Sequence, residues 1–193
     1  PTIQATTSSA TTTAYSNQRK VFYDGTYYWA FYYNGTAGDA RYEYSSDGNT
    51  WTGTPADPLS ASSGVKYFSV WYVSPSTVYF VGDSDEVETE VEVTKGTISG
   101  TTISWQAEVE VTAGLKNNPQ QQPFITRDKD GHLWIATNNK ESATTPFYNI
   151  GVVKSTNADD ISAWGAYTNM LASHVAGTDI YPSLVPFTGT SDG

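Results

Sequence analysis

Cysteine is absent from this chain of 193 residues, and so are long apolar runs. The first absence excludes disulfides, thiolate metal sites and thiol nucleophiles. The second excludes a membrane-spanning helix, which needs about 18 or more consecutive apolar residues. Basic residues are scarce: ten Lys and Arg stand against twenty Asp and Glu, a net charge of −10. So few cations cannot neutralise a run of phosphates, which argues against nucleic acid as a partner. Histidine occurs only at 132 and 174. No Ser-His-Asp set, His-rich metal motif or glycine-rich phosphate loop can be assembled from the sequence. A helical period is also missing, because Pro, Gly and β-branched residues are spread along the whole chain.

What is abundant is Thr, Ser and aromatic residues. The chain has 27 Thr, 20 Ser and 14% Phe, Trp and Tyr, which suits strands and a core built on rings. The length fits one domain, or one and a half. The start at Pro1 rather than Met reads as a processed or trimmed chain whose signal peptide, if any, is gone.

Two markers recur. A hairpin turn inside an aromatic run, Phe22-Tyr23-Asp24-Gly25-Thr26-Tyr27-Tyr28-Trp29, returns as Asp128-Lys129-Asp130-Gly131-His132-Leu133-Trp134. Between them, Val73-Ser74-Pro75-Ser76-Thr77 makes the same kind of turn. A Trp closes a later hairpin at 51, 105 and 164, with separations of 54 and 59 residues. Strand-like alternation fills each unit: Lys66 to Val73, Thr77 to Gly82, Glu86 to Val93 and Gln106 to Val111 in the second, with Lys95 to Trp105 read as a turn. Four antiparallel strands in about 50 residues make one propeller blade. The predicted fold is therefore all-β, a β-propeller with about three full blades (18–60, 64–114 and 120–170) and part of a fourth (178–193). Residues 1–17 form a Thr/Ser-rich leader or strand. An unclosed propeller leaves blade faces and strand edges exposed. Either Thr2 to Tyr15 completes the last blade of a small ring, or the chain is part of a longer propeller; the second is the favoured expectation.

Ser45-Ser46-Asp47-Gly48-Asn49-Thr50-Trp51 is a turn by its own chemistry. A short acceptor and an acid bond nearby backbone N–H groups, and Gly supplies a positive φ. The stretch also resembles the Asp box (BNR repeat) of the sialidase-like propellers, Ser-x-Asp-x-Gly-x-x-Trp, with one residue missing after Asp47. The resemblance runs over roughly residues 18–187. It implies a secreted or cell-surface propeller in which Ser45, Asp47, Gly48 and Trp51 form a structural turn away from any substrate. Arg19-Lys20-Val21 falls where that family carries Arg-Ile-Pro, whose Arg binds the substrate carboxylate; Lys-Val replaces Ile-Pro here.

Propeller ligands meet the ring where the first strands begin. Those positions hold Gln18, Arg19 and Lys20; Lys66 and Tyr67; Gln120, Gln121 and Gln122; and Asp179 and Tyr181. Their amides, charges and rings suit sugar hydroxyls, so Arg19, Lys66, Tyr67, Gln122, Asp179 and Tyr181 are the candidate carbohydrate-binding residues. Polar residues at any strand entry are the plainer reading. A glycosidase needs two converging carboxyls, or a Tyr nucleophile with a Glu. The strand starts supply one acid, Asp179, so no catalytic residue is assigned. Asp83, Asp85 and Glu86 could hold Ca²⁺ through hard oxygen donors, or form a solvated acidic loop. Asn34-Gly35-Thr36 is the one glycosylation sequon. No other cofactor is implied. The expectation is a non-catalytic propeller that binds glycans or pairs with other copies of itself through strand edges. The alternatives are a sialidase-like glycoside hydrolase with residues outside this chain, and a filament or coat subunit.

Overall fold

The structure is a computed structural model, and it describes residues 17–34, 39–52, 57–59, 65–83, 91–111, 122–140, 148–170 and 181–186. Among these residues there is no helix, and twelve strands form three antiparallel sheets. The first sheet contains β1 (Val21–Tyr23), β2 (Tyr28–Asn34) and β3 (Asp39–Ser45), in that order. The second runs β4 (Phe68–Val73), β5 (Thr77–Asp83), β6 (Val91–Ser99) and β7 (Thr102–Trp105), with β8 (Val109–Glu110) also on β6. The third holds β9 (Phe124–Arg127), β10 (Leu133–Lys140), β11 (Tyr148–Lys154) and β12 (Thr168–Asn169).

Side chains alternate across each strand, so each sheet has two faces, and in the second sheet both are apolar and packed. Trp29, Phe31 and Tyr42 of the first sheet pack against Phe68, Val70, Val78 and Phe80 of the second. Tyr79, Val81 and Val93, on the opposite face of the second sheet, pack against Ile125, Leu133, Ile135 and Val153 of the third. The sheets are thus stacked face to face in chain order. The first interface is mostly aromatic and the second mostly aliphatic.

The innermost strands are tied at their starts. Val70 N–H donates to the Arg19 carbonyl at 2.9 Å, and Ile125 N–H donates to Ser69 Oγ at 2.8 Å. Gln18 Nε2 donates to the Pro123 carbonyl at 3.4 Å, so the starts of the first and third sheets also touch. Asn17 Nδ2 donates to the Pro182 carbonyl at 3.0 Å, which brings the extended 181–186 segment to the same place.

The spacing of Trp51, Trp105 and Trp164 matches one structural position. Each lies on the return past the third strand of its sheet: Trp105 ends β7 opposite Gly96, Trp164 bridges to Ser155, and Thr52, after Trp51, bridges to Tyr44. Other expectations shift. Among the described residues the first sheet has three strands and a single bridge where a fourth strand was expected, and residues 53–56 lie outside them. Lys95 to Ser99 extend β6, and only Gly100 and Thr101 turn, with Gly100 at φ 60°. The sequence hid this because Gly96 breaks the pattern of bulky residues. A Cβ at Gly96 would lie 2.7 Å from the Trp105 ring, so the glycine makes room for the closing Trp. β4 begins at Phe68, two residues later than expected. Glu92 of β6 lies opposite Glu110 of β8, while residues 84–90 lie outside the described residues.

Candidate functional site

Two of the hairpin turns carry a device that sequence reasoning missed. Asp24 Oδ1 accepts from the N–H groups of Thr26 and Tyr27, both at 2.7 Å, and Oδ2 accepts from the Trp29 indole at 2.7 Å. Asp128 does the same: Oδ1 accepts from Asp130 and His132 N–H at 3.0 and 2.8 Å, and Oδ2 from the Trp134 indole at 2.9 Å. Gly25 and Gly131, at φ 104° and 92°, allow both turns. Burial pushes the Asp24 carboxyl up, but the hydrogen bonds from Tyr27, Trp29 and Thr26 outweigh it and hold it below the usual carboxylate range. The available signal was an Asp followed by Trp five or six residues later across an Asp-Gly turn.

The Ser45–Trp51 turn is built as its residues imply. Ser45 Oγ accepts from Gly48 N–H at 2.9 Å and donates to Asp47 Oδ1 at 3.0 Å. Asp47 Oδ1 also accepts from Asn49 and Thr50 N–H, each at 2.8 Å. Gly48 sits at φ 71°. Asp47 is exposed, and Trp51 is half-buried rather than part of the core.

The strand-start residues converge, but as packing. Gln18, Lys20, Tyr67 and Gln122 are 6%, 7%, 3% and 2% exposed, leaving little of any of them for a ligand to touch. Arg19 lies over the Trp71 ring at 4.0 Å and near Phe124 at 5.8 Å. Lys20 Nζ lies 3.7 Å from the Phe68 ring centroid, and burial lowers its pKa to about 7. Lys66 is half-buried, 5.3 Å from the Tyr67 ring. Gln122 is held at φ 38°, and its Oε1 has no hydrogen-bond partner among the described residues. Tyr181 is 46% exposed beside the third sheet. Asp179, Gln120, Gln121 and His174 lie outside the described residues.

The remaining candidates are dispersed. Asp83 is buried at the end of β5, its N–H donating to the Tyr67 carbonyl, and Asp85 and Glu86 lie outside the described residues. Among the described residues no three His, Asp or Glu side chains cluster around a metal position. Asn34 ends β2, and the rest of its sequon lies outside the described residues.

The open concavity beside the first two sheets lies at their hairpin ends. A cleft of 370 Å³ is lined by Asp24, Thr26, Tyr27, Pro75, Ile98 and Gly100. The Tyr72 hydroxyl fixes its walls, lying 3.2 Å from the Asp24 carbonyl and 2.9 Å from the Pro75 carbonyl. It offers a tyrosine ring, an aliphatic wall and an exposed Thr hydroxyl. On the other side of the stack, Arg127 clasps Asp159 through Nε–Oδ1 at 2.6 Å and Nη2–Oδ2 at 2.8 Å. The Tyr79 hydroxyl and Lys95 Nζ also reach Asp159, at Oδ1 and the carbonyl, and so lock the second sheet to the third. The Arg127 guanidinium holds the Asp159 carboxyl below its usual range.

A family model described as a two component regulator propeller matches residues 123–139. That stretch is β9, the Asp128 turn and nearly all of β10, including the Asp128–Trp134 hydrogen bond. No curated protein matches the chain. The short match points to a β-propeller-type repeat at residues 123–139, in agreement with the three antiparallel sheets formed by the described residues.

Proposed function

We propose that this chain is a non-catalytic binding domain of the sialidase-like propeller type. It works outside the cell or at the cell surface and takes carbohydrate at the hairpin ends of its sheets. The observation that carries the reading is the contrast between the two ends. At the strand starts, Gln18, Lys20, Tyr67 and Gln122 are buried against one another's sheets. A glycosidase would need room there for a sugar between two carboxyls. At the hairpin ends, the 370 Å³ cleft falls within the usual size of small-ligand sites, roughly 300–1,000 Å³. A tyrosine ring beside hydroxyl and carbonyl groups is suited to a sugar's apolar face and its hydroxyls. The family type and the extracellular setting rest on the resemblance of the Ser45–Trp51 turn and the blade spacing.

Ligand-observed NMR with a panel of neutral and sialylated oligosaccharides tests the reading. Binding should be lost in Thr26→Arg, which fills the cleft from an exposed position, and kept in Arg19→Met. Loss in Arg19→Met alone would return the site to the strand starts. Turnover of aryl glycosides above background would overturn the non-catalytic reading.

A further inference from the structure

The outer face of the third sheet repeats a face that is covered elsewhere in the molecule. Trp29 pairs with Tyr44, Tyr79 with Lys95 and Trp134 with Lys154, so the three rings hold the same position in successive sheets. Trp29 and Tyr79 are both 0% exposed beneath the next sheet. Trp134 is half-buried, and the described segment against it is the extended 181–186. Leu184 sits on the sheet between two hollows. One of 280 Å³ lies over Thr126 and Trp134, and one of 490 Å³ lies over Ala136, Ile150 and Val152. Thr126 Oγ1 is buried there without a hydrogen-bond partner among the described residues. Val185 is 87% exposed and Met170 60%. Residues 181–186 join none of the three sheets.

We propose that residues 2–13 of the same chain add as a β-strand to the 181–186 segment, on the outer face of the third sheet. The point of entry argues for this occupant. Asn17 donates to the Pro182 carbonyl at 3.0 Å, so the preceding residues leave from beside this segment. Twelve extended residues span about 40 Å, against about 20 Å for six, so the reach is sufficient. Residues 1–16 carry no charge, and six of residues 2–13 are Thr. Such a β-prone stretch, with no apolar stripe of its own, binds an edge through backbone hydrogen bonds. The inference is independent of the carbohydrate reading.

A photo-crosslinking amino acid at Val185, in the full chain, tests it. The expected product is monomer-sized, with the link mapped to a peptide within residues 1–16. A dimer-sized product would overturn the proposal in favour of a second copy, and a link to any other segment, or none, would overturn it outright. A second variant, Thr6→Pro with Thr11→Pro, blocks strand pairing at unchanged length. Amide exchange at residues 183–185 should then accelerate by about tenfold or more, while β5 exchange is unchanged. Equal exchange at 183–185 in both chains would also overturn it.

Discussion

Lys20 is a cation held where its charge is poorly solvated. A buried ammonium loses hydration, and the Phe68 ring at 3.7 Å returns only part of it. Burial therefore lowers its pKa to about 7. In the unfolded chain Lys holds its proton up to about pH 10.4. Between those values the unfolded state binds more protons than the folded one, so this group makes stability rise with pH across that window. Below about 7 both states are charged and the full burial cost remains. Lys20→Met should therefore raise the melting temperature at pH 6, with a gain that shrinks towards pH 10. Every tenfold loss of proton affinity on folding corresponds to about 1.4 kcal/mol, and the ring contact offsets part of the sum. Melts of both proteins from pH 6 to 10 check this, and a constant difference across the range would show that Lys20 is not a buried cation. Nothing in the sequence around Arg19-Lys20-Val21 announced this burial. It follows from how closely the strand starts approach, as in the Gln18–Pro123 contact between residues 105 positions apart. By contrast, Ser45, Asp47 and Gly48 were legible because their bonds span only two or three residues.

Among the elements, the hairpins were readable and the third strands were not. An Asp-Gly turn flanked by aromatic residues encodes both its φ and its hydrogen bonds locally, and the structure has it at Asp24 and Asp128. β6 is different: its outer half, Lys95 to Ser99, is shaped by β7 returning over it. Gly96 there looks like a turn residue, yet it pairs in the ladder with Trp105. A Cβ on Gly96 would meet Ile103 Cγ2 at 2.5 Å and the Trp105 ring at 2.7 Å. Neither contact is with a flexible chain end, so the closing Trp must move. Gly96→Ala should destabilise by about 1–3 kcal/mol, the range for overpacking. Gly100→Ala places its methyl in open space and suffers only the strain of φ 60°. Denaturant melts of the two variants separate the causes. If Gly100→Ala is the more damaging, backbone strain rather than ring packing governs this hairpin.

At the scale of the whole molecule, the stack is close to one-dimensional, because each sheet touches chiefly the sheets before and after it. The second sheet is covered on both faces: Phe68, Val70, Val78 and Phe80 meet the first sheet, and Tyr79, Val81 and Val93 meet the third. Among the described residues the first sheet packs through one face against the second, and its Val21, Tyr23 and Tyr28 are 61%, 50% and 44% exposed. In a stack of this kind, stability is approximately a sum of unit and interface terms. Among the described residues the first and third sheets each share one such core, whereas the second shares two and must lose both to open. The β5 strand, with Val78, Tyr79, Phe80 and Val81 all at 0% exposure, belongs to both cores and has ladder partners on both edges. Native-state hydrogen exchange should therefore be slowest at Val78 to Val81, approaching the free energy of global unfolding. The first and third sheets should exchange earlier, through separate partial openings with smaller denaturant dependence. Phe80→Ala, which damages the first interface, should accelerate exchange in β2 more than in β10. Equal acceleration in both would mean that the chain unfolds as one cooperative block and that the interfaces are not separable units.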